Sequence, residues 1–331
     1  MKTLRFLSLV LFAALVLAVI VGCSPVQTAK FPEKPVTIIV HASAGGGSDI
    51  FARTLSAAFE KEKILSQPIA VENKPGGSGA VAFAYVAGKK GEPYYMLTAV
   101  ASFLTTPLQG LSQVTYKDFT PICNLAFDEF VAFVRPESKF KTMKDIVDYA
   151  KANPKQLNVG GTQLGAADSI ATYLIEKNTG AKFNYITFNS GGEVNAAVMG
   201  GHVEFAIGNP SEIMELQKGG KIRILGSLSE KRLGSLPDVP TMKEQGIDAI
   251  FQQNRGLVAP GGISDADRQV LEDAMLKYSN TDTFKAYVKD NSLTEAWMDG
   301  PTYGKWMESE NSKYATLLQD MGVIKGSGAS K

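Results

Sequence analysis

Residues 36–49 read VTIIVHASAGGGSD, and this stretch decides the fold. Its first five residues are almost continuously apolar, which is typical of a strand buried on both faces of a parallel sheet. A glycine-rich segment follows at once, and the apolar residues after it recur at helical spacing: Phe51, Leu55, Ala58 and Phe59. The sequence therefore predicts a strand, a glycine loop and a helix in direct succession.

The same alternation continues outward from this stretch. Strands are predicted at 69–72 and 94–98 with a helix at 80–87 between them, and this β-α-β-α-β order implies an open, mostly parallel sheet. A second α/β unit begins where Thr142 and Asp145 form an approximate capping box. Its predicted elements are helices 142–152, 166–178, 192–199 and 211–218 and strands 157–159, 184–187, 203–207 and 222–227.

The last part of the chain predicts one more strand and two helices. The strand covers 256–260, Ser264 and Asp267 cap the next helix, and a closing helix begins at about Pro301. Their apolar stripes indicate core or lobe-packing surfaces.

Glycine is concentrated at the turns from strand to helix. Four such loops, at 42–49, 73–79, 160–165 and 188–192, hold 11 of the 32 glycines. Glycine lets the backbone approach a ligand closely, and the following helix offers free N–H groups and the positive end of its dipole. Such turns bind anions. The alternative is that these glycines only permit tight connections; four loops in two paired units favour binding.

The N-terminal segment has the features of an export signal. A short positive start precedes an apolar run to Val21 and the junction Gly22-Cys23, so residues 1–22 are predicted to be a lipoprotein-type signal peptide. Cys23 is then the lipidation site, and residues 23–30 form a tether. The alternative is an uncleaved membrane anchor. Cys123, in an apolar stretch, is predicted to be a buried structural thiol.

Charge and motifs exclude several classes of protein. The chain has 34 basic and 33 acidic residues, and loss of Lys2 and Arg5 with the signal leaves 32 against 33, so nucleic-acid binding is not expected. Two histidines and two cysteines make no metal-site spacing, and no cofactor motif is convincing. We expect no catalytic residue, no metal and no cofactor. A serine-type hydrolase with Ser78 as nucleophile stays open as the alternative, since 76–80 is similar to a nucleophile elbow.

At these loops the sequence resembles the substrate-binding proteins of the tripartite tricarboxylate transporter family, also called Bug-type receptors. The matching segments run in order through the chain: 31–36, 44–53, 71–79, 190–193, 200–204, 236–246 and 256–260. The resemblance implies an α/β, two-lobed periplasmic-binding-protein fold of type II (Venus-flytrap) with a ligand cleft between the lobes. Lobe 1 would take 31–130 and 255–331, and lobe 2 would take 131–254.

The resemblance also implies which residues bind a ligand carboxylate. Carried over to this chain they are Ser43, Gly46, Ser48, Asp49, Ser78, Gly79, Ser102, Gly161, Thr162, Ala166, Phe188 and Asn189, with Asn209 as a further candidate. The segment 165–169 lacks the Gly-Ser-x-x-His pattern common in the family, which affects the part of the site that recognises the distal end of the ligand.

We therefore expect an exported, monomeric receptor, lipid-anchored at Cys23 on the outer face of the cell membrane or in the periplasm. It would bind a small carboxylate, which is a di- or tricarboxylate or a related organic acid, and deliver it to membrane transporter subunits. A receptor that partners a signalling sensor is the second alternative.

Overall fold

The computed structural model describes residues 31–188 and 190–325. The predicted signal peptide, the tether, Cys23 and Asn189 lie outside the described residues. The strands are β1 (Val36–Val40), β2 (Ile69–Asn73), β3 (Tyr95–Ala99), β4 (Phe119–Glu129), β5 (Val131–Val134), β6 (Asn158–Gly161), β7 (Asn184–Thr187), β8 (Phe205–Gly208), β9 (Arg223–Ser227), β10 (Gln252–Pro260) and β11 (Leu293–Asp299).

Ten α-helices in the described residues complete the fold. They are α1 (Gly47–Glu62), α2 (Ala80–Ala87), α3 (Ala101–Leu108), α4 (Met143–Ala152), α5 (Ala167–Thr179), α6 (Gly191–Met199), α7 (Pro210–Lys218), α8 (Asp265–Ser279), α9 (Asp282–Asp290) and α10 (Gly300–Asp320). Within the described ranges, no helix combines the length and apolarity that spanning a bilayer requires.

The strands form two separate sheets. The six-stranded sheet has the order β11-β4-β10-β3-β1-β2, and the five-stranded sheet has the order β7-β6-β8-β5-β9. The chain passes from the first sheet to the second between Glu129 and Val131 and returns before Gln252. The predicted two-lobed α/β fold is thereby confirmed.

The prediction of a mostly parallel first sheet is only half right. Strand β1 pairs in parallel with β2 and β3, as the β-α-β-α-β order requires. Strand β10, however, pairs antiparallel with β3 and β4, and β11 pairs antiparallel with β4. The antiparallel half arises because β10 and β11 come from the returning segment of the chain, which no local pattern in the first unit reveals.

Burial explains the elements that the sequence predicted well. The side chains of Ile38 and Val40 are fully buried, and they pack in one cluster with Phe51 and Leu55 of α1. Thr142 and Asp145 form the predicted capping box of α4. Cys123 is a free, fully buried thiol, as expected.

Candidate functional site

The first glycine loop is held in shape by Asp49. Its carboxylate accepts hydrogen bonds from the Gly45 N–H (2.9 Å), from Arg53 Nε (3.0 Å) and from Asn73 Nδ2 (2.9 Å). Burial alone would raise the pKa of Asp49, but these hydrogen bonds outweigh it and lower the pKa. The carboxylate of Asp49, a predicted ligand contact, therefore stabilises the loop itself. Of the other predicted contacts in this loop, Ser43 is exposed and Gly46 directly precedes the first turn of α1.

The second loop has an unusual backbone. Gly76, Gly77 and Gly79 all have positive φ angles, and Ser78 joins them with φ 60°. A non-glycine residue in this region is uncommon, and Lys63, Lys155 and Ser292 are the other examples among the described residues. The Ser78 hydroxyl donates to Gln163 Oε1, so the second loop contacts the third loop, which follows β6 in the other lobe.

The third loop is organised by Asp168 of α5. The Thr162 N–H and hydroxyl both donate to the Asp168 carboxylate, and the Oγ1–Oδ1 distance is 2.9 Å. Ala166 is the residue that precedes α5, and its N–H bonds to the Gln163 carbonyl at 3.1 Å.

The sequence predicted Gly161 within the third loop. In the structure Gly161 is instead the last residue of strand β6. A Cβ at this position would fall on the Tyr185 hydroxyl and on the Asp168 carboxylate. Packing of the strand therefore explains why this residue is glycine.

The fourth loop and the end of β8 belong to the second lobe. The Phe188 N–H donates to the Gly161 carbonyl (2.9 Å), and its ring packs against the core of the second lobe. Ser190 caps α6 through a hydrogen bond from the Glu193 N–H (3.3 Å). Asn209 precedes α7, and its Nδ2 donates to the Glu129 carbonyl (3.1 Å), which ties the second lobe to the junction.

A buried ion pair that the sequence analysis missed lies behind the first loop. Arg255 of β10 pairs with Asp128 of β4, and both side chains are almost fully buried. Arg255 Nη1 also donates to the Ser48 hydroxyl (3.2 Å). Burial opposes the charge on Arg255, but Asp128 and Glu212 raise its pKa, so it stays cationic. The group beside the first loop is thus a buried ion pair, whose guanidinium also holds the Ser48 hydroxyl.

Glu212 is the second residue that sequence reasoning missed. It lies in the first turn of α7, and its Oε1 accepts a hydrogen bond from the Gly47 N–H of the other lobe (3.2 Å). No local motif marks it, because the contact joins residues 165 positions apart.

Two hydroxyl groups near helix starts have no partner among the described residues. They are Ser102 Oγ in the first turn of α3 and Ser211 Oγ in the first turn of α7, and both atoms are buried. A buried hydroxyl without a partner loses free energy that a ligand can restore. Ser102 is one of the predicted site residues, whereas Ser211 is new.

His41 and His202 are the two histidines that a serine nucleophile at Ser78 could use. His41 Nδ1 contacts Thr98 Oγ1 at 3.0 Å, and burial, with the charge of Arg255, lowers its pKa to about 4. His202 follows the end of α6 in a turn. A hydrogen bond from either ring to Ser78, which a serine nucleophile would need, is not found in the described part of the chain.

Comparison with known proteins gives consistent matches. Residues 52–323 match the family model described as "Tripartite tricarboxylate transporter family receptor". A protein of Cupriavidus necator, "UPF0065 protein in gbd 5'region", is 31% identical over 305 residues, which is 90% of this chain and 91% of the relative.

Solved structures match over almost the same part of the chain. A TctC solute binding protein from Polaromonas, solved without ligand, is 30% identical, with a TM-score of 0.69 over 88% of this chain and 99% of that one. "R. palustris Rpa4515 with adipate" has a TM-score of 0.82 at 21% identity and covers 88% of this chain and 98% of its own. At this identity the second structure supports the fold alone.

Proposed function

Because the chain belongs to the tripartite tricarboxylate transporter receptor family, we propose that it binds a small dicarboxylate in the cleft between its lobes. The observation that carries the proposal is the hydrogen bond from the Gly47 N–H, at the start of α1, to a carboxylate. The donor at this loop therefore already has the geometry that carboxylate binding requires. The adipate bound to the R. palustris neighbour is a molecule of the proposed class.

The proposed site uses groups of both lobes. Backbone N–H groups at the starts of α1 and α5 and the hydroxyls of the second loop and of α3 would hold the ligand. Behind the first loop, the buried pair of Arg255 and Asp128 would keep Ser48 in place. The residues that we assign to this site are Ser43, Gly46, Ser48, Ser78, Gly79, Ser102, Ala166 and Asn209; the polar groups of Asp49 and Thr162 are engaged within their own loops.

Receptors of this family are periplasmic and work with membrane subunits of a transporter. We propose the same partner for this chain, with a lipid at Cys23 keeping a monomeric receptor near the membrane. Closure of the lobes on the ligand would sequester it and form the surface that the partner recognises. A signalling sensor as partner remains the alternative.

Thermal unfolding in the presence of dicarboxylates tests the proposed function. A ligand at a hundred times its dissociation constant adds about 2.7 kcal/mol to the free energy of unfolding, so the melting temperature should rise with linear C4 to C6 dicarboxylates. Neutral sugars and cationic amines serve as controls. A shift with the controls and none with any carboxylate would reject the proposal.

The hydrolase alternative predicts a different result. A serine-reactive probe would label the protein, and Ser78→Ala would abolish the labelling. Absence of labelling in the folded protein, together with a carboxylate-dependent shift, favours capture over catalysis.

A further inference from the structure

Glu212 places a carboxylate of the protein itself at the cleft. Its Oε1 accepts the hydrogen bond from the Gly47 N–H at 3.2 Å, and a Cβ added to Gly191 would fall on its Oε2. Gly47 is the first residue of α1 in one lobe, and Gly191 is the first residue of α6 in the other. The carboxylate of Glu212 therefore lies between the starts of two helices from opposite lobes.

Burial and nearby groups act on the carboxylate of Glu212 in opposite directions, and their net effect raises its pKa. Burial raises the pKa of Glu212, and the Gly47 N–H and the positive charge of Arg255 oppose the rise. Asp128 of β4 and Asp168 of α5 face it as like charges and add to the rise. The N–H groups at the helix starts favour a carboxylate. Glu212 is thus placed as a carboxylate ligand would be.

A single N–H donor cannot serve two carboxylates at full strength. A ligand that uses the Gly47 N–H must therefore take it from Glu212, and that exchange is subtracted from the binding free energy of the ligand. The same contact also joins the two lobes when no ligand is present.

We propose that Glu212 is an internal competitor that occupies the carboxylate position of the cleft and sets the affinity for ligand. This inference rests on the proposed function, because it assigns Gly47 N–H to the ligand. It predicts that removing the charge of Glu212 strengthens ligand binding and loosens the contact between the lobes.

Glu215 provides the matched control on the same helix. Its side chain is 87% exposed and pairs with Lys218 at 2.8 Å, three residues along α7. Glu215→Gln removes the same charge from the same helix without touching the cleft. A difference between Glu212→Gln and Glu215→Gln therefore separates the effect of the negative charge beside Gly47 from the change in net charge.

Calorimetric titration with adipate tests the proposal on the wild-type protein and on both variants. We expect Glu212→Gln to lower the dissociation constant by about five- to tenfold, the lower part of the range for coupled sites, and Glu215→Gln to leave it unchanged. An unchanged or higher dissociation constant in Glu212→Gln overturns the proposal; a higher one would mean that Glu212 contacts the ligand itself. Circular dichroism spectra of the unliganded variants that match the wild-type spectrum verify that both variants fold.

Small-angle scattering separates failure of this inference from failure of the proposed function. If adipate binds neither the wild-type protein nor either variant, the assignment of the ligand fails. The radius of gyration then tests whether Glu212 holds the two lobes together. A larger radius of unliganded Glu212→Gln than of Glu215→Gln supports the interlobe contact. Equal radii in that case overturn it.

Discussion

Glu129 is a buried carboxylic acid at the junction between the two sheets. Its side chain is 4% exposed, its Oε1 accepts a hydrogen bond from the Thr294 hydroxyl (2.9 Å), and its carbonyl accepts one from Asn209. Burial, with a smaller contribution from the neighbouring charge of Asp128, raises the pKa of Glu129 to about 7. The junction therefore contains a group that titrates near neutral pH.

The free energy of unfolding should record this titration. Between about pH 4.5 and 7 the native protein holds a proton on Glu129 that the unfolded chain has released, so the contribution of Glu129 to stability is lost as the pH rises through this window. Urea unfolding measures the free energy of unfolding of wild type and of Glu129→Gln. The wild-type value minus the variant value should fall by up to about 3 kcal/mol between pH 4.5 and 7. The lowered pKa of His41 acts in the opposite direction but equally in both proteins. A constant difference across the window would contradict the assignment.

The sequence identified some site residues and missed others for a physical reason. Ser78 and the glycines around it could be found because loop chemistry is local. Arg255 and Glu212 could not, since their partners Asp128 and Gly47 are distant in sequence and only the assembled fold brings them together. Asp49 and Thr162 are in the predicted region, but their polar groups are engaged within the loops.

Among the helices and strands, the bounds were predicted correctly where the local sequence pattern is distinct. The bounds of β1, α2 and β7 agree with the prediction, because an apolar run or a helical stripe bounded by glycine leaves little choice. Other elements were not predicted: α3 contains Pro107, β4 contains Pro121 and two buried acids, and β5, α9 and β11 have no distinct pattern. Their conformations depend on the sheet that they join.

The close packing around Gly161 can be tested by mutation. The sequence predicted a loop at this position, whereas the structure has the end of strand β6. Gly161→Ala should reduce the free energy of unfolding by about 1–3 kcal/mol, because the new methyl group would meet the Tyr185 hydroxyl and the Asp168 carboxylate. Gly234→Ala is the control, since a Cβ there meets no atom within 4 Å. Urea unfolding should separate the two variants, and equal stabilities would show that β6 tolerates the methyl group.

At the scale of the whole molecule, contacts between lobes converge on the glycine loops. Ser78 meets Gln163, Gly47 meets Glu212, and the Cβ position of Gly165 is occupied by Gln109. Further contacts lie outside the cleft, such as the ion pair between Lys177 and Asp320 (2.7 Å). The two α/β units and their glycine loops agree with the two lobes that the family resemblance implied, but the sequence does not show which loops meet.

Binding of a dicarboxylate at the first loop is tested most directly by calorimetric titration of adipate into wild type and Gly46→Val. Gly46 has an ordinary extended backbone, and an added Cβ meets nothing closer than the Ser43 carbonyl at 3.5 Å, so valine should leave the fold intact. It should nevertheless fill the space in front of α1. We expect saturable binding to wild type and an unchanged dissociation constant in Gly234→Val. In Gly46→Val the dissociation constant should be at least about tenfold higher, which is a loss of about 1.4 kcal/mol of binding free energy. Equal affinity of the three proteins would place the ligand elsewhere and contradict the assignment of the cleft.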